Sequence, residues 1–201
     1  MDEAAVNKAM GRLHALKDAA AQLEQAGDMN TFHGRWYYFL VSANNIYVTL
    51  LQGAKGNTTS QTWFDVKKAE RKTDPLMHWL HEARGDEEHA RYGIGPSLKY
   101  TPGQTLVGVQ QAGASRAFTV NLSNVPGQPR ITTQSHDGLP VEIGRVPHKI
   151  ELKLVRERKG RVVNPPTHHL GASIIDVSPA GVAALAVDYL TKLVEEARTL
   201  V

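Results

Sequence analysis

Cysteine is absent from this 201-residue chain, which excludes disulfide bridges, cysteine nucleophiles and thiolate metal sites. Long apolar runs are absent too; none approaches the roughly 18–20 residues a membrane-crossing helix needs. The opening stretch, MDEAAVNKAMGRLHALKD, is acidic at once and lacks the apolar core of a secretory signal. These features point to a cytoplasmic protein with no membrane association. Neither charge sign dominates: 23 Lys and Arg face 20 Asp and Glu, and a net charge of +3 is a weak argument for a nucleic-acid partner. Aromatics are few, at 6%, yet hydrophobic residues reach 41%, so the composition is that of a folded chain with a sizeable core. No serine nucleophile elbow, phosphate-binding glycine loop or dinucleotide fingerprint is present.

What is present is unevenly spread. Eight of the ten prolines and nine of the seventeen glycines fall in residues 95–177, and this segment carries all of the positive excess. Such punctuation predicts short strands and turns in the middle, with helices on either side. Val6, Met10, Leu13, Leu16, Ala20 and Leu23 step by three and four, the spacing of one helix face. Trp36, Leu40, Ala43, Tyr47 and Leu50 repeat it, predicting a second helix from about Asn30 to Leu51. Ser60 is a candidate N-cap for a third. Asp74-Pro75 is a cap followed by a proline at the first helical position, starting a fourth helix that ends near Arg84-Gly85. Ser178-Pro179 repeats the signal for the last helix.

Leu106 to Val109, Ala117 to Leu122 and His148 to Val155 read as strands, the last with clear alternation. The expected fold class is therefore α+β: a helical bundle of about five helices, residues 1–94 closed by 178–201. Residues 95–177 form an inserted antiparallel β segment.

The stretch Trp79 to His89 holds the most suggestive chemistry. Arg84 and His89 are five positions apart, about 140° around a straight helix, so they converge only if the chain breaks between them. Gly85 can supply that break. Arginine holds phosphate in a planar fork, and histidine exchanges a proton near neutral pH. In the plainer reading, Arg84 is a last-turn cation before its glycine cap, and Asp86, Glu87 and Glu88 open a short following helix.

A helix rich in aromatics (Trp36, Tyr37, Tyr38, Phe39), then Trp63-Phe64, then an arginine and a histidine separated by four residues, resembles the HEPN superfamily of small helical bundles. Gly85 stands where active members usually carry a polar residue. The resemblance implies a homodimer whose shared cleft binds or cleaves RNA without metal, as an endoribonuclease. Arg84 would contact phosphate and His89 would move the proton. It also implies an antitoxin or other protein as a partner, and no cofactor. The alternative is a non-catalytic dimeric interaction or ligand-binding module.

The basic run Arg156, Arg158, Lys159 and Arg161 is the candidate RNA-binding patch, or else a hairpin turn with solvated charges. A third arrangement joins His78 and His81, on one helix face, with Asp86 or Glu88 around a divalent ion; no recognised metal motif accompanies it, and no metal is assigned. Four consecutive aromatics cannot all face one core, so at least one of residues 36–39 is expected on a second surface.

Overall fold

In a computed structural model, the described residues are 1–89, 97–109, 118–122, 131–136, 141–157 and 160–201. Among them the chain forms five helices: α1 (Glu3–Leu23), α2 (Met29–Ala54), α3 (Thr58–Thr73), α4 (Pro75–His89) and α5 (Pro179–Arg198). The strands are β1 (Leu98–Thr101), β2 (Gln104–Val109), β3 (Phe118–Leu122), β4 (Ile131–Ser135), β5 (Val141–Val146), β6 (Lys149–Leu152), β7 (Val155–Arg156), β8 (Val162–Val163), β9 (His168–His169) and β10 (Ala172–Ser173). The class is α+β, a helical bundle with short strand pairs. No helix among the described residues is long and apolar enough to cross a membrane.

Two compact units divide the chain. One comprises Met1–Tyr100 with Ile150–Val201, the other Thr101–Lys149. The second unit nests one antiparallel pair inside another: β3 with β4 in sequence between β2 and its partner β5. Residues 150–177 fall in the same compact unit as the helices. The reason is local: β7 and β9 pack on α4, so this stretch adds short hairpins to the bundle.

The helical unit follows from its sequence spacing. Val6, Ala9, Leu13, Leu16, Ala19 and Leu23 form the buried face of α1, against α2 and α5. Asp28 caps α2 by accepting the Thr31 amide at 2.9 Å. Within α2, Trp36 and Phe39 are fully buried and stacked with centroids 5.4 Å apart, whereas Tyr38 is 58% exposed. The four aromatics thus divide between core and surface, as helical geometry requires. Trp36 also meets Trp79 of α4 at 6.2 Å. Each indole has a polar partner: Trp36 Nε1 donates to Ser97 Oγ at 3.0 Å, Trp79 Nε1 to the Lys153 carbonyl at 3.2 Å. These bonds remove the cost of burying an N–H.

Three helix boundaries differ from the sequence reading. The cap of α3 is Asn57, whose Oδ1 accepts the Ser60 amide at 3.0 Å; Ser60 itself lies inside the first turn, buried. The second helix runs three residues past Leu51, to Ala54. The fourth does not end near Gly85 but continues to His89. The two cap-and-proline signals hold. Asp74 Oδ1 accepts the Met77 amide at 2.8 Å, and Ser178 Oγ accepts the Gly181 amide at 3.1 Å. Asp74 also binds the β9–β10 turn, accepting from His169 Nδ1 at 3.0 Å and the Leu170 amide at 2.6 Å. Leu170 has a positive φ of 48°, a conformation L residues seldom adopt, and the carboxylate holds it there.

Candidate functional site

α4 carries both Arg84 and His89. Because it passes through Gly85 unbroken, Cα positions 84 and 89 stand about 140° apart around its axis. The break that would bring them together is absent. Arg84 Nη2 pairs with Glu88 Oε1 at 2.5 Å, one turn along the same helix. Its Nε is buried and has no hydrogen-bond partner among the described residues. His89 is the last residue of α4, and its side chain lies outside the described residues.

The three carboxylates after Gly85 have separate roles. Asp86 Oδ2 accepts the Arg156 amide at 3.3 Å, tying α4 to β7. Glu87 is buried; its Oε2 meets His33 Nε2 at 2.9 Å, and its Oε1 accepts from the Ser97 hydroxyl and, at 3.4 Å, the Ser97 amide. The third, Glu88, is the partner of Arg84. A buried carboxylate with three donors is costly to disturb. Glu87 therefore anchors the last turn of α4, and a helix glycine at 85 is tolerated.

A different set of side chains gathers on the opposite stretch of α4. His78 and Glu82 are four apart on the helix, so they share a face. Glu157, just after β7, meets them: its Oε1 lies 3.2 Å from His78 Nε2. One ligand atom from each of His78, Glu82 and Glu157 lies within 4.8 Å of the others. Arg161 closes the group, its Nε and Nη2 donating to Glu157 Oε1 at 2.8 and 2.6 Å. β7 pairs antiparallel with β8, and backbone bonds flank the pair. Gly160, at φ 84°, donates to the Glu157 carbonyl at 2.7 Å, and the Glu157 amide donates to the Arg161 carbonyl at 2.9 Å. Of the basic run, Arg156 and Arg161 are exposed, while Arg158 and Lys159 lie outside the described residues.

With Arg71 and Lys72 of α3 and His81 of α4, this group lines a concavity of about 320 Å³. Arg71 is held from behind, its guanidinium 4.3 Å from the Tyr47 ring centroid. Tyr47 donates to Tyr189 at 3.2 Å, and Tyr189 to Glu70 at 2.6 Å, so α2, α3 and α5 share one polar chain behind the wall. The neighbouring gap lined by Leu40, Asn44, Tyr47 and Met77 holds only about 10 Å³, no more than one water.

No protein-family model, curated protein or solved structure matches this chain. The chemistry of the site is therefore argued from its own geometry.

That chemistry is of mixed sign. The Arg161 bonds hold the Glu157 carboxyl below its usual range, while burial and then the Glu157 charge push Glu82 up. Desolvation on the concave wall, then Arg71, His78 and Arg84, lower His81 to about 4 although its side chain reaches solvent, so it is neutral at physiological pH. The third arrangement, His78 and His81 with Asp86 or Glu88, does not assemble. Asp86 is committed to the Arg156 amide and Glu88 to Arg84, and His78 turns to Glu82 and Glu157 instead. Sequence reasoning missed Glu82 and Glu157. The i, i+4 spacing of His78 and Glu82 was a readable signal; nothing in the sequence links His78 to Glu157, 79 positions on.

Proposed function

We propose that this chain is a non-catalytic binding module for a phosphate-bearing ligand, RNA foremost, taken up at the concavity between α3, α4 and the β7–β8 hairpin. One observation carries the reading. Arg71, Lys72 and Arg161 line a single concavity of about 320 Å³, Arg161 being paired there to Glu157. Arginine and lysine side chains around a concave surface are the usual phosphate-binding complement. Of the two histidines among them, His81 is neutral, so it offers a hydrogen bond rather than charge.

A HEPN-like relationship, a homodimer, a cytoplasmic location and an antitoxin or other protein partner belong to the same proposal. Its support is the helical bundle closed by α5, with residues 84 and 89 on one helix. The catalytic form of that reading requires the last turn of α4 to open at Gly85 so that Arg84 leaves Glu88.

The test is fluorescence anisotropy with labelled single-stranded RNA, chelator present, over a salt series. Lys72→Ala and Arg161→Ala should each weaken binding, and each should flatten the dependence of log K on log salt by about 0.7. Affinity untouched by both substitutions would refute the assignment of the concavity. Cleavage of the RNA in chelator, abolished by Arg84→Ala and by His89→Ala, would replace the binding module with the metal-independent endoribonuclease.

A further inference from the structure

We infer that His78, Glu82 and Glu157 form a divalent-cation site, of zinc type, which Arg161 closes in the absence of metal. The donor set is one imidazole nitrogen and two carboxylate oxygens from two elements, the helix α4 and the hairpin turn after β7. Zinc accepts this combination, with a fourth position left for water or a ligand oxygen. The spacing is close to what the ion needs. In a tetrahedral site with bonds of about 2.0–2.1 Å, neighbouring ligand atoms stand about 3.3 Å apart. His78 Nε2 and Glu157 Oε1 already stand 3.2 Å apart. The third ligand atom, from Glu82, lies within 4.8 Å of both, so it has to move closer for the ion to be held.

Arg161 supplies the independent argument. Two carboxylates beside a histidine repel one another unless a cation lies between or against them. Here the guanidinium fills that role, with both of its contacts on the same Glu157 oxygen that faces His78. Arg161 comes from an exposed turn, and its side chain is 71% accessible. It can swing away without disturbing the core, so cation and guanidinium exchange at one oxygen. Arg161 is thus a gate whose positive charge competes with the metal. The inference stands whether or not RNA binds, because its probe is the metal alone.

The experiment is a titration of the full-length, chelator-stripped protein with Zn²⁺ against a chromophoric chelator, repeated with Co²⁺ to read d–d absorption. Wild type should take up one ion per chain. His78→Ala, Glu82→Gln and Glu157→Gln should each weaken uptake at least tenfold, and Arg161→Ala should tighten it about tenfold. Far-UV circular dichroism checks that each variant is folded, and the near-isosteric Glu82→Gln remains informative if His78→Ala is not. Wild type that takes up no ion overturns the inference. So does uptake that the three ligand substitutions leave unchanged and His168→Ala removes, since the metal then sits on the β9–β10 hairpin.

Discussion

Gly85→Ala separates a continuous α4 from a broken one. In the continuous helix, glycine costs stability because it surrenders more backbone freedom on folding than alanine does. A Cβ built at Gly85 meets no heavy atom within 4 Å, so alanine adds no clash. The full interior difference is about 0.8–1.0 kcal/mol. Gly85 lies four residues before the end of α4, where helices fray, so as little as about 0.5 kcal/mol of it can be realised. The substitution should therefore stabilise the protein by about 0.5–1 kcal/mol. Urea denaturation followed by tryptophan fluorescence reads this as a higher midpoint at an unchanged m-value. A loss of 1 kcal/mol or more would refute the reasoning. It would mean that Gly85 needs a left-handed conformation, that the helix breaks there, and that Arg84 and His89 can meet.

The remaining predictions probe the scaffold around the site. Asp74→Ala removes a buried carboxylate that caps α4 and holds the His169–Leu170 turn; a loss of about 3 kcal/mol is expected, with Asp74→Asn losing less, both read by urea midpoint. Gly53→Ala puts a methyl group against the Ala5 side chain where α1 crosses the end of α2, so overpacking should cost about 1–3 kcal/mol, and the pair Gly53→Ala with Ala5→Gly should recover most of it. His81 binds its proton only near pH 4 in the folded state, against 6.5 unfolded, so between these values the unfolded chain carries more protons and stability falls as pH falls. His81→Gln should flatten the urea midpoint against pH in that window, and an imidazole titrating near 6.5 by NMR would contradict the assignment.

The helices were legible because burial imposes a period on the sequence. α1 shows this best, with all six of its buried residues three or four apart. The caps of α4 and α5 were legible because aspartate or serine before proline does two jobs at adjacent positions, accepting an amide and setting φ. Ser60 misled because Asn57, three residues earlier, carries the same capping chemistry and sits where the previous helix has already ended. The end of α4 misled for a tertiary reason. Glycine ends helices when nothing beyond it is held, but here Glu87 is bonded to His33 and Ser97, which lie far from it in sequence or beyond the helix. Those contacts outweigh the roughly 1 kcal/mol that glycine costs.

The same physics redistributes the charges of the candidate site. In sequence, Gly85-Asp-Glu-Glu-His looks like a cluster of acids beside a catalytic pair, an arrangement hostile to phosphate. In the fold the cluster dissolves, because a continuous helix points successive residues about 100° apart. Asp86 goes to β7, Glu87 into the core and Glu88 back to Arg84. Arg84 thereby loses its freedom to bind phosphate without moving. The cations that line the concavity are Arg71 and Lys72 of α3, with Arg161 held by Glu157, and there the nearest acids, Glu82 and Glu157, face a histidine. An anion bound at Arg71 and Lys72 and a cation bound at His78, Glu82 and Glu157 would strengthen one another, since each offsets the other's charge across one concavity. Zn²⁺ should therefore raise RNA affinity in wild type and leave it unchanged in Glu157→Gln, a coupling that neither ligand measured alone can show.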